Sequence, residues 1–176
     1  YELRAYQRAA LAAWHDADER GVVELPTGAG KTVVAIRAMV DEGVPTLVVV
    51  PTIDLLEQWQ RELDAEFDVP IGRFGGGEQR RAAITVSTYD SAYLKADGVG
   101  DAFEFVVFDE VHHLGGEGFR DAARLLAAPA RLGLTATFQR PDGAPEVGAD
   151  LVGDRVYAPD VDHPAGAPPR PSARPR

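Results

Sequence analysis

Cysteine is absent from the sequence, and lysine occurs only at Lys31 and Lys95. Without cysteine the chain can form no disulfide bond, no thiolate metal site and no cysteine nucleophile. No apolar run approaches the roughly 18 residues that a membrane-spanning helix requires, and the N-terminus has no signal-peptide pattern. The sequence therefore predicts a soluble, intracellular chain that does not act at a membrane.

Basic residues are fewer than acidic residues. The 18 arginines and lysines face 28 acidic residues, which gives a formal net charge of -10. Because nucleic-acid-binding domains usually carry a basic surface, this balance weighs mildly against that class. It does not exclude the class, since a local groove can be positive on an acidic protein.

Hydrophobic periodicity predicts strands that alternate with helices along the 176 residues, which is about the length of one domain. The predicted strands are 21–25, 46–50, 71–74, 84–87, 105–108 and 131–134. The predicted helices are 6–14, 31–40, 53–67 and 119–126. This alternation is typical of parallel βαβ units, so we expect an α/β fold with a mostly parallel sheet and helices on both of its faces.

The last part of the sequence has a different composition. Residues 159–176 are rich in proline, and Val161 is their only large hydrophobic residue. Such a segment cannot bury enough apolar surface to offset the entropy lost on ordering. We therefore predict a folded domain over 1–158 and a disordered Pro/Arg-rich tail over 159–176.

A phosphate-binding loop is predicted at residues 26–32, between a strand and a helix. Glycines let backbone N–H groups converge on phosphate oxygens, and the helix N-terminus adds partial positive charge. Lys31 supplies a full charge for the β- and γ-phosphates of ATP, and the Thr32 hydroxyl can ligate Mg²⁺. One departure is Leu25, which stands where the strict pattern has glycine. The residues assigned to the nucleotide site here are Thr27, Gly28, Ala29, Gly30, Lys31 and Thr32.

An acidic pair, Asp109 and Glu110, directly follows the apolar strand 105–108. In open α/β sheets, ligands bind at the carboxyl ends of the strands. Asp109 can hold Mg²⁺, and Glu110 can orient and deprotonate the attacking water. We therefore predict Glu110, Lys31 and Asp109 as catalytic residues.

The order of these motifs resembles the first RecA-like domain of a superfamily 2 helicase. Asp109 to His112 forms the sequence DEVH, which matches the DExH motif, and Leu134 to Thr137 resembles motif III. Further blocks resemble motif Ia at 51–59 and a later strand-contact motif at 86–89. Within the superfamily, the details are similar to archaeal homologues of the xeroderma pigmentosum group B helicase.

The resemblance implies roles for residues outside the phosphate-binding loop. Gln7 would read the adenine base with support from Arg4. Two of the implied DNA contacts, Thr52 and Thr88, have an alternative role as plain N-caps of helices. The alternative for the motif III threonines is a hydroxyl that only satisfies a backbone group at the end of its strand. The implied contacts to DNA phosphates are Thr52, Arg73, Gly75 and Thr88. The implied coupling residues are His112, Thr135 and Thr137.

The resemblance also implies cofactors and partners. These are ATP, Mg²⁺, DNA as a single strand or duplex junction, a second RecA-like domain that this sequence does not contain, and a repair nuclease. The expected setting is a prokaryotic cytoplasm, in association with the nucleoid. A departure lies at Arg140-Pro141-Asp142, where the family carries Arg-Glu-Asp and proline removes both a carboxylate and an N–H.

Three other functions remain open from the sequence. The first is a restriction-type DExH translocase motor, and the second is a non-catalytic DNA-binding module that responds to nucleotide. The third is a P-loop kinase or GTPase, which motif Ia and the DExH sequence disfavour. An ATPase assay with and without single-stranded DNA separates catalytic from non-catalytic functions.

Overall fold

The computed structural model of the chain describes residues 2–26, 30–99, 102–112, 127–136 and 152–158. The helices in these ranges are α1 (Ala5–Asp16), α2 (Gly30–Glu42), α3 (Ile53–Glu66) and α4 (Tyr89–Val99). The strands are β1 (Arg20–Leu25), β2 (Thr46–Val50), β3 (Ile71–Gly75), β4 (Glu78–Arg80), β5 (Ile84–Thr88), β6 (Phe105–Phe108), β7 (Ala130–Ala136) and β8 (Arg155–Tyr157). No helix among the described residues is long and apolar enough to cross a lipid bilayer.

The strands form one eight-stranded sheet in the order β4-β3-β5-β2-β6-β7-β1-β8. Every neighbouring pair is parallel except β3 and β4. The parallel strands end in register, with Leu25 beside Ala136 and Val50 beside Thr88. Segments that follow these strands therefore meet at one edge of the sheet. Strand β7 lies between β1, which precedes α2 in sequence, and β6, which precedes the acidic pair.

Alternate side chains of each strand point to opposite faces, and both faces are buried. In β2, Val48 and Val50 pack into a core with α1, α2 and α3, whereas Leu47 and Val49 pack into a second core with α4. Strand β2 is buried at every position. These layers confirm the predicted α/β class, the mostly parallel sheet and the helices on both faces.

Helix α1 is fixed to the sheet by Trp14. Its indole Nε1 donates to the carbonyl oxygen of Arg131 at 2.8 Å, and its ring centroid lies 5.3 Å from that of Phe105. The side chain is completely buried. Trp14 thereby anchors the C-terminal part of α1 to the sheet, whereas Gln7, near the N-terminal end of α1, contacts the first residue of α2.

The glycine triplet at 75–77 forms the connection of a β-hairpin between β3 and β4. Gly76 and Gly77 have φ values of 62° and 86°, and Gly75 pairs with Glu78. Two successive residues with positive φ form the turn that matches the twist of a two-residue hairpin, and glycine adopts it without a Cβ clash. The sequence analysis did not predict β4, α4 or β8. The predicted helix 119–126, the tail 159–176 and Arg140-Pro141-Asp142 lie outside the described residues.

Candidate nucleotide and nucleic-acid site

Lys31 joins the two motifs that the sequence analysis assigned to ATP chemistry. Its Nζ donates to Glu110 Oε1 at 2.5 Å and lies 3.4 Å from Asp109 Oδ1. Lys31 is in the first turn of α2 after β1, and the carboxylates follow β6. The partners are 79 residues apart in sequence, so the fold creates this cluster.

Asp109 accepts hydrogen bonds at both its side-chain carboxylate and its backbone carbonyl oxygen. Trp59 Nε1 donates to Oδ2 at 2.8 Å, and the backbone N–H of Glu110 donates to Oδ1 at 2.9 Å. The Tyr89 hydroxyl donates to the Asp109 carbonyl oxygen at 2.8 Å. Asp109 is only 5% exposed. Its carboxylate is therefore fixed in one orientation at the end of β6.

Glu110 has a left-handed backbone conformation, with φ at 52°. This conformation is uncommon for a residue with a side chain and costs on the order of 1 kcal/mol, so it is found where the surrounding structure holds it. Glu110 Oε1 contacts Lys31, and Oε2 lies 3.8 Å from His112 Nε2. The turn thus places one carboxylate between a lysine and a histidine.

The electrostatic balance of the cluster is one cation against two carboxylates. Burial by itself lowers the pKa of Lys31, but Asp109 and Glu110 together outweigh it, so the pKa of Lys31 is raised. Lys31 is therefore charged at neutral pH. The three groups sum to one negative charge, which would repel a triphosphate that arrived without a divalent cation.

The residues predicted to recognise adenine lie beside the start of α2. Gln7 is 5% exposed, its Oε1 accepts from the backbone N–H of Arg4 at 2.8 Å, and its Nε2 donates to the Gly30 carbonyl oxygen at 3.5 Å. The Arg4 side chain is exposed and Thr32 is partly buried. Thr27, Gly28 and Ala29 lie outside the described residues.

Thr52 and Thr88 are both helix N-caps at the carboxyl edge of the sheet. Thr52 Oγ1 accepts from the backbone N–H of Leu55 at 3.2 Å, and Thr88 Oγ1 accepts from that of Ser91 at 3.1 Å. Thr52 is exposed, whereas Thr88 is 8% exposed. A threonine that accepts a capping bond still has its own O–H to donate. The capping role is thus present, and it is compatible with a phosphate contact.

Arg73 and Gly75 lie next to these N-caps. The Arg73 guanidinium donates to the Gly75 carbonyl oxygen at 3.3 Å and to Gln60 Oε1 at 3.4 Å, and it lies 3.6 Å from Glu57 Oε2. A Cβ at Gly75 would lie 3.2 Å from the Thr88 methyl group. Arg73 is therefore engaged with α3, and Gly75 gives room for the close approach of β3 and Thr88.

The predicted coupling residues are distributed around the acidic pair. Thr135 is buried near the end of β7, beside Glu24 of β1, and its hydroxyl donates to the Ala136 carbonyl oxygen at 3.4 Å. His112 is 44% exposed and faces Glu110. Thr137 lies outside the described residues. The structure thus brings His112 to the cluster and places Thr135 on the strand between the two motifs.

Trp59 and Tyr89 contact the site but were not predicted as site residues. Both belong to sequence blocks that the motif analysis identified, and Trp59 also has the spacing of a core residue in α3. Their polar atoms reach across 50 and 20 residues to Asp109. The spacing of apolar residues predicts burial, but it carries no information about such long-range acceptors.

Comparison with known proteins adds a family assignment to this geometry. A protein-family model described as "Type III restriction enzyme, res subunit" matches residues 1–140. The chain is 50% identical over 165 residues to the DNA 3'-5' translocase XPB2 of Sulfurisphaera tokodaii, covering 94% of this chain and 37% of that protein. It is 38% identical over 169 residues to the DNA 3'-5' helicase XPB of Mycobacterium tuberculosis, covering 89% of this chain and 30% of that protein.

The fold comparison agrees with the sequence comparison. The UvsW helicase from bacteriophage T4 superposes with a TM-score of 0.74 at 20% identity, covering 90% of this chain and 61% of that chain. At this identity the match establishes the shared fold alone. The chain spans about a third of the length of the two curated relatives.

Proposed function

Because the chain belongs to the family of the type III restriction enzyme res subunit, whose model matches residues 1–140, we propose that it is the ATP-binding half of a DNA motor. The parent activity is an ATP-dependent DNA helicase or translocase of the XPB type. The observation that carries this proposal is the contact of Lys31 with both carboxylates: its Nζ lies 3.4 Å from Asp109 and 2.5 Å from Glu110.

The residues at this edge fit Mg·ATP. The net negative charge of the cluster favours phosphates that arrive together with a divalent cation. Asp109 and the Thr32 hydroxyl offer the oxygen ligands that Mg²⁺ prefers, and Asp109 is already oriented by Trp59. Mg²⁺, when bound, neutralises charge on the β- and γ-phosphate oxygens. Lys31 would donate to the same phosphates, and Gln7 and Arg4 would lie towards the base.

Lys31 has a second role in this mechanism. It is paired with Glu110 in the described structure. When its ammonium group turns to a phosphate, the Glu110 carboxylate loses its cation partner and can accept the proton of the attacking water. The proton then resides on Glu110. His112 Nε2 lies 3.8 Å from Glu110 Oε2, so its interaction with Glu110 would change when that carboxylate is neutralised. Thr135 and Thr137 would pass changes at the γ-phosphate towards the DNA side.

The DNA strand is proposed to lie across the N-termini of α3 and α4. The Thr52 and Thr88 hydroxyls and the backbone around Gly75 would donate to phosphates, while Arg73 holds β3 against α3. Contacts from hydroxyl and N–H groups position a strand without reading its sequence. They also need few basic side chains, which agrees with the net charge of -10.

The proposed parent protein contains a second RecA-like domain that closes on the open side of the nucleotide site. Its setting would be the prokaryotic cytoplasm at the nucleoid, with DNA repair as the process and a repair nuclease as a partner. A restriction-type motor is the second candidate, because the family description itself names a restriction subunit. The 50% identity to the DNA 3'-5' translocase XPB2 of Sulfurisphaera tokodaii, over 94% of this chain, favours the XPB type. The residues of both ATP motifs disfavour a non-catalytic module.

Two substitutions at Thr52 test the DNA contact without removing the helix cap. Asparagine and aspartate both cap helices as well as threonine does. Thr52→Asp places a carboxylate against a phosphate, whereas Thr52→Asn is its neutral match. We expect Thr52→Asp to weaken binding of a fluorescent single-stranded oligonucleotide at low salt at least about tenfold relative to Thr52→Asn. Equal affinities for the two variants would contradict the proposed strand position.

A further inference from the structure

Two buried aromatic side chains donate hydrogen bonds to Asp109 from opposite faces of the sheet. Trp59 belongs to the core formed with α1, α2 and α3, and Tyr89 belongs to the core formed with α4. Trp59 reaches the carboxylate and Tyr89 reaches the carbonyl oxygen, each at 2.8 Å. Asp109 is therefore bonded to both helices that begin at the proposed DNA contacts.

On the face of the sheet that carries Trp59, helix α3 connects the proposed DNA contact at Thr52 to Asp109. Thr52 caps this helix, and Trp59 lies two turns further along it, about 10 Å away at 1.5 Å per residue. Trp59 is 3% exposed, and its indole can only donate. A shift of α3 must therefore either move the Asp109 carboxylate or leave a buried donor unpaired.

On the face that carries Tyr89, the connection between the proposed DNA contact at Thr88 and Asp109 is shorter. Tyr89 directly follows Thr88, the N-cap of α4, and its ring stacks on Phe108 with centroids 6.5 Å apart. Burial, with added contributions from Asp109 and Glu110, raises the pKa of Tyr89 well above its ordinary value. Its hydroxyl donates to the Asp109 carbonyl oxygen, so the N-terminus of α4 is bonded directly to Asp109.

We propose that Trp59 and Tyr89 are positioning residues through which DNA at the N-termini of α3 and α4 sets the orientation of Asp109. DNA occupancy thereby changes the affinity of the nucleotide site for Mg·nucleotide. This inference rests on the proposed function, because it takes Asp109 as the Mg²⁺ ligand and the two N-caps as DNA contacts. By linkage, Mg·nucleotide changes DNA affinity by the same factor.

The sequence supplies a matched control for Trp59. Trp14 is the only other tryptophan, it is fully buried, and it also donates one indole hydrogen bond of 2.8 Å, to the Arg131 carbonyl oxygen. Site-specific replacement of either residue by benzothienylalanine keeps the ring shape and removes the donor. Both variants lose one buried hydrogen bond, and only the Trp59 variant loses a bond to Asp109.

The readout is the affinity for a Mg²⁺-bound non-hydrolysable ATP analogue, with and without saturating oligothymidylate at low salt. In the unmodified chain we expect DNA to change this affinity by about fivefold or more, the lower end of usual coupling. In the Trp59 variant DNA should no longer change the nucleotide affinity, so that the ratio of the affinities with and without DNA approaches one. The Trp14 variant should keep it. Tyr89→Phe should reduce the ratio, whereas Tyr93→Phe, at an exposed position of α4, should not.

A spectroscopic readout follows Trp59 directly. The two indole N–H groups give two separate signals in a proton–nitrogen correlation spectrum of the chain. Oligothymidylate alone should shift the Trp59 signal and leave the Trp14 signal in place. A purely structural tryptophan would show no such selective response.

The outcomes separate this inference from the proposed function. If the chain binds neither Mg·nucleotide nor DNA, both are overturned. If it binds both ligands but DNA leaves nucleotide affinity unchanged, or the Trp59 and Tyr89 variants keep the full ratio, only the inference is overturned. Should the Trp59 variant fail to fold, Tyr89→Phe and the indole spectrum of the unmodified chain still decide the matter.

Discussion

Lys31 contacts two carboxylates in the structure, and the proposed function gives it the phosphates of a nucleotide as alternative anionic partners. Its Nζ lies 2.5 Å from Glu110 and 3.4 Å from Asp109. A nucleotide must draw the ammonium group away from Glu110 before it gains a phosphate contact. The affinity for ATP therefore contains the free energy of breaking a partly buried ion pair.

Glu110→Gln separates binding from hydrolysis. Glutamine keeps the shape of the side chain but cannot accept the proton of water, and it holds Lys31 less tightly. We expect the variant to bind Mg·ATP at least as tightly as the unmodified chain and to lose its residual hydrolysis. A coupled phosphate-release assay beside a binding titration measures both quantities. Hydrolysis at the unmodified rate would mean that another group activates the water.

Asp109→Asn should act on the Mg²⁺ dependence of binding. The amide keeps an oxygen that can accept from Trp59, but it removes the charge that holds a divalent cation. We expect the gain in ATP affinity on adding Mg²⁺ to fall at least about tenfold, with Mg²⁺-free ATP binding no weaker. Asp64→Asn, at an exposed position of α3, is the control. An undiminished gain would exclude Asp109 as the ligand.

At the scale of elements, the junction of α1 and α2 carries a titrating carboxyl pair. Burial first, then the hydrogen bond and charge of Glu19, raises the pKa of Glu42 to about 7. The hydrogen bond from Glu42 lowers the pKa of Glu19, and His15 Nδ1 lies 2.9 Å from Glu19 Oε2. The two carboxyls thus share one proton near neutral pH.

The sign of the resulting pH dependence follows from the raised pKa of Glu42. Between about pH 4.5, the ordinary value, and about 7, the folded chain holds a proton that the unfolded chain has released. This stabilisation is complete below 4.5 and is lost as pH rises through 7. Because the pair is partly exposed and therefore screened by solvent, we expect it to change the free energy of unfolding in urea by less than about 1 kcal/mol. Glu42→Gln should remove this component; an unchanged pH profile for the variant would contradict it.

Most elements of the fold could be predicted from sequence, because buried parallel strands and amphipathic helices have strong apolar patterns. Strands β2 and β6 begin and end where predicted. Strand β4 is exposed at each of its three positions and has no apolar alternation, so nothing in its own residues indicates a strand. It pairs only because Gly76 and Gly77 turn the chain back along β3.

Prediction of the site was less complete than prediction of the fold. Motif spacing indicated Lys31, Asp109 and Glu110, and the fold brings them together. It could not indicate the bond from Trp59 to Asp109, since this depends on how α3 is seated on the sheet. The resemblance to XPB-type superfamily 2 helicases is confirmed by the matches over 94% and 89% of the chain.

At the scale of the whole molecule, the central expectation is that these residues do not form a complete motor. Unwinding needs two RecA-like domains that close on ATP, and an arginine supplied from outside the site contributes about 10³–10⁵ in rate. We expect the isolated chain to hydrolyse ATP very slowly, with little stimulation by DNA and no strand separation. Fusion to the proposed second RecA-like domain should raise turnover sharply. ATP-dependent unwinding of a tailed duplex by the isolated chain would contradict this expectation.

The affinity for DNA also depends on a property of the whole molecule, its net charge. A net charge of -10 repels the phosphate backbone, and few contacts oppose it. We expect weak binding of single-stranded DNA that falls steeply between low and physiological salt. Fluorescence anisotropy over a salt series measures this dependence, and tight, salt-insensitive binding would point to a contact surface other than the N-termini of α3 and α4.

The most direct test of the whole account is a calorimetric titration of Mg·ATP into the chain and into Lys31→Ala. The substitution removes a charge-assisted phosphate contact worth about 1.5–3 kcal/mol, so affinity should fall at least about tenfold. Arg37→Ala is the control, because it removes a positive charge from the exposed side of the same helix. Binding of Mg·ATP should depend on Lys31 and not on Arg37; equal affinity of the unmodified chain and Lys31→Ala would contradict the proposed nucleotide site.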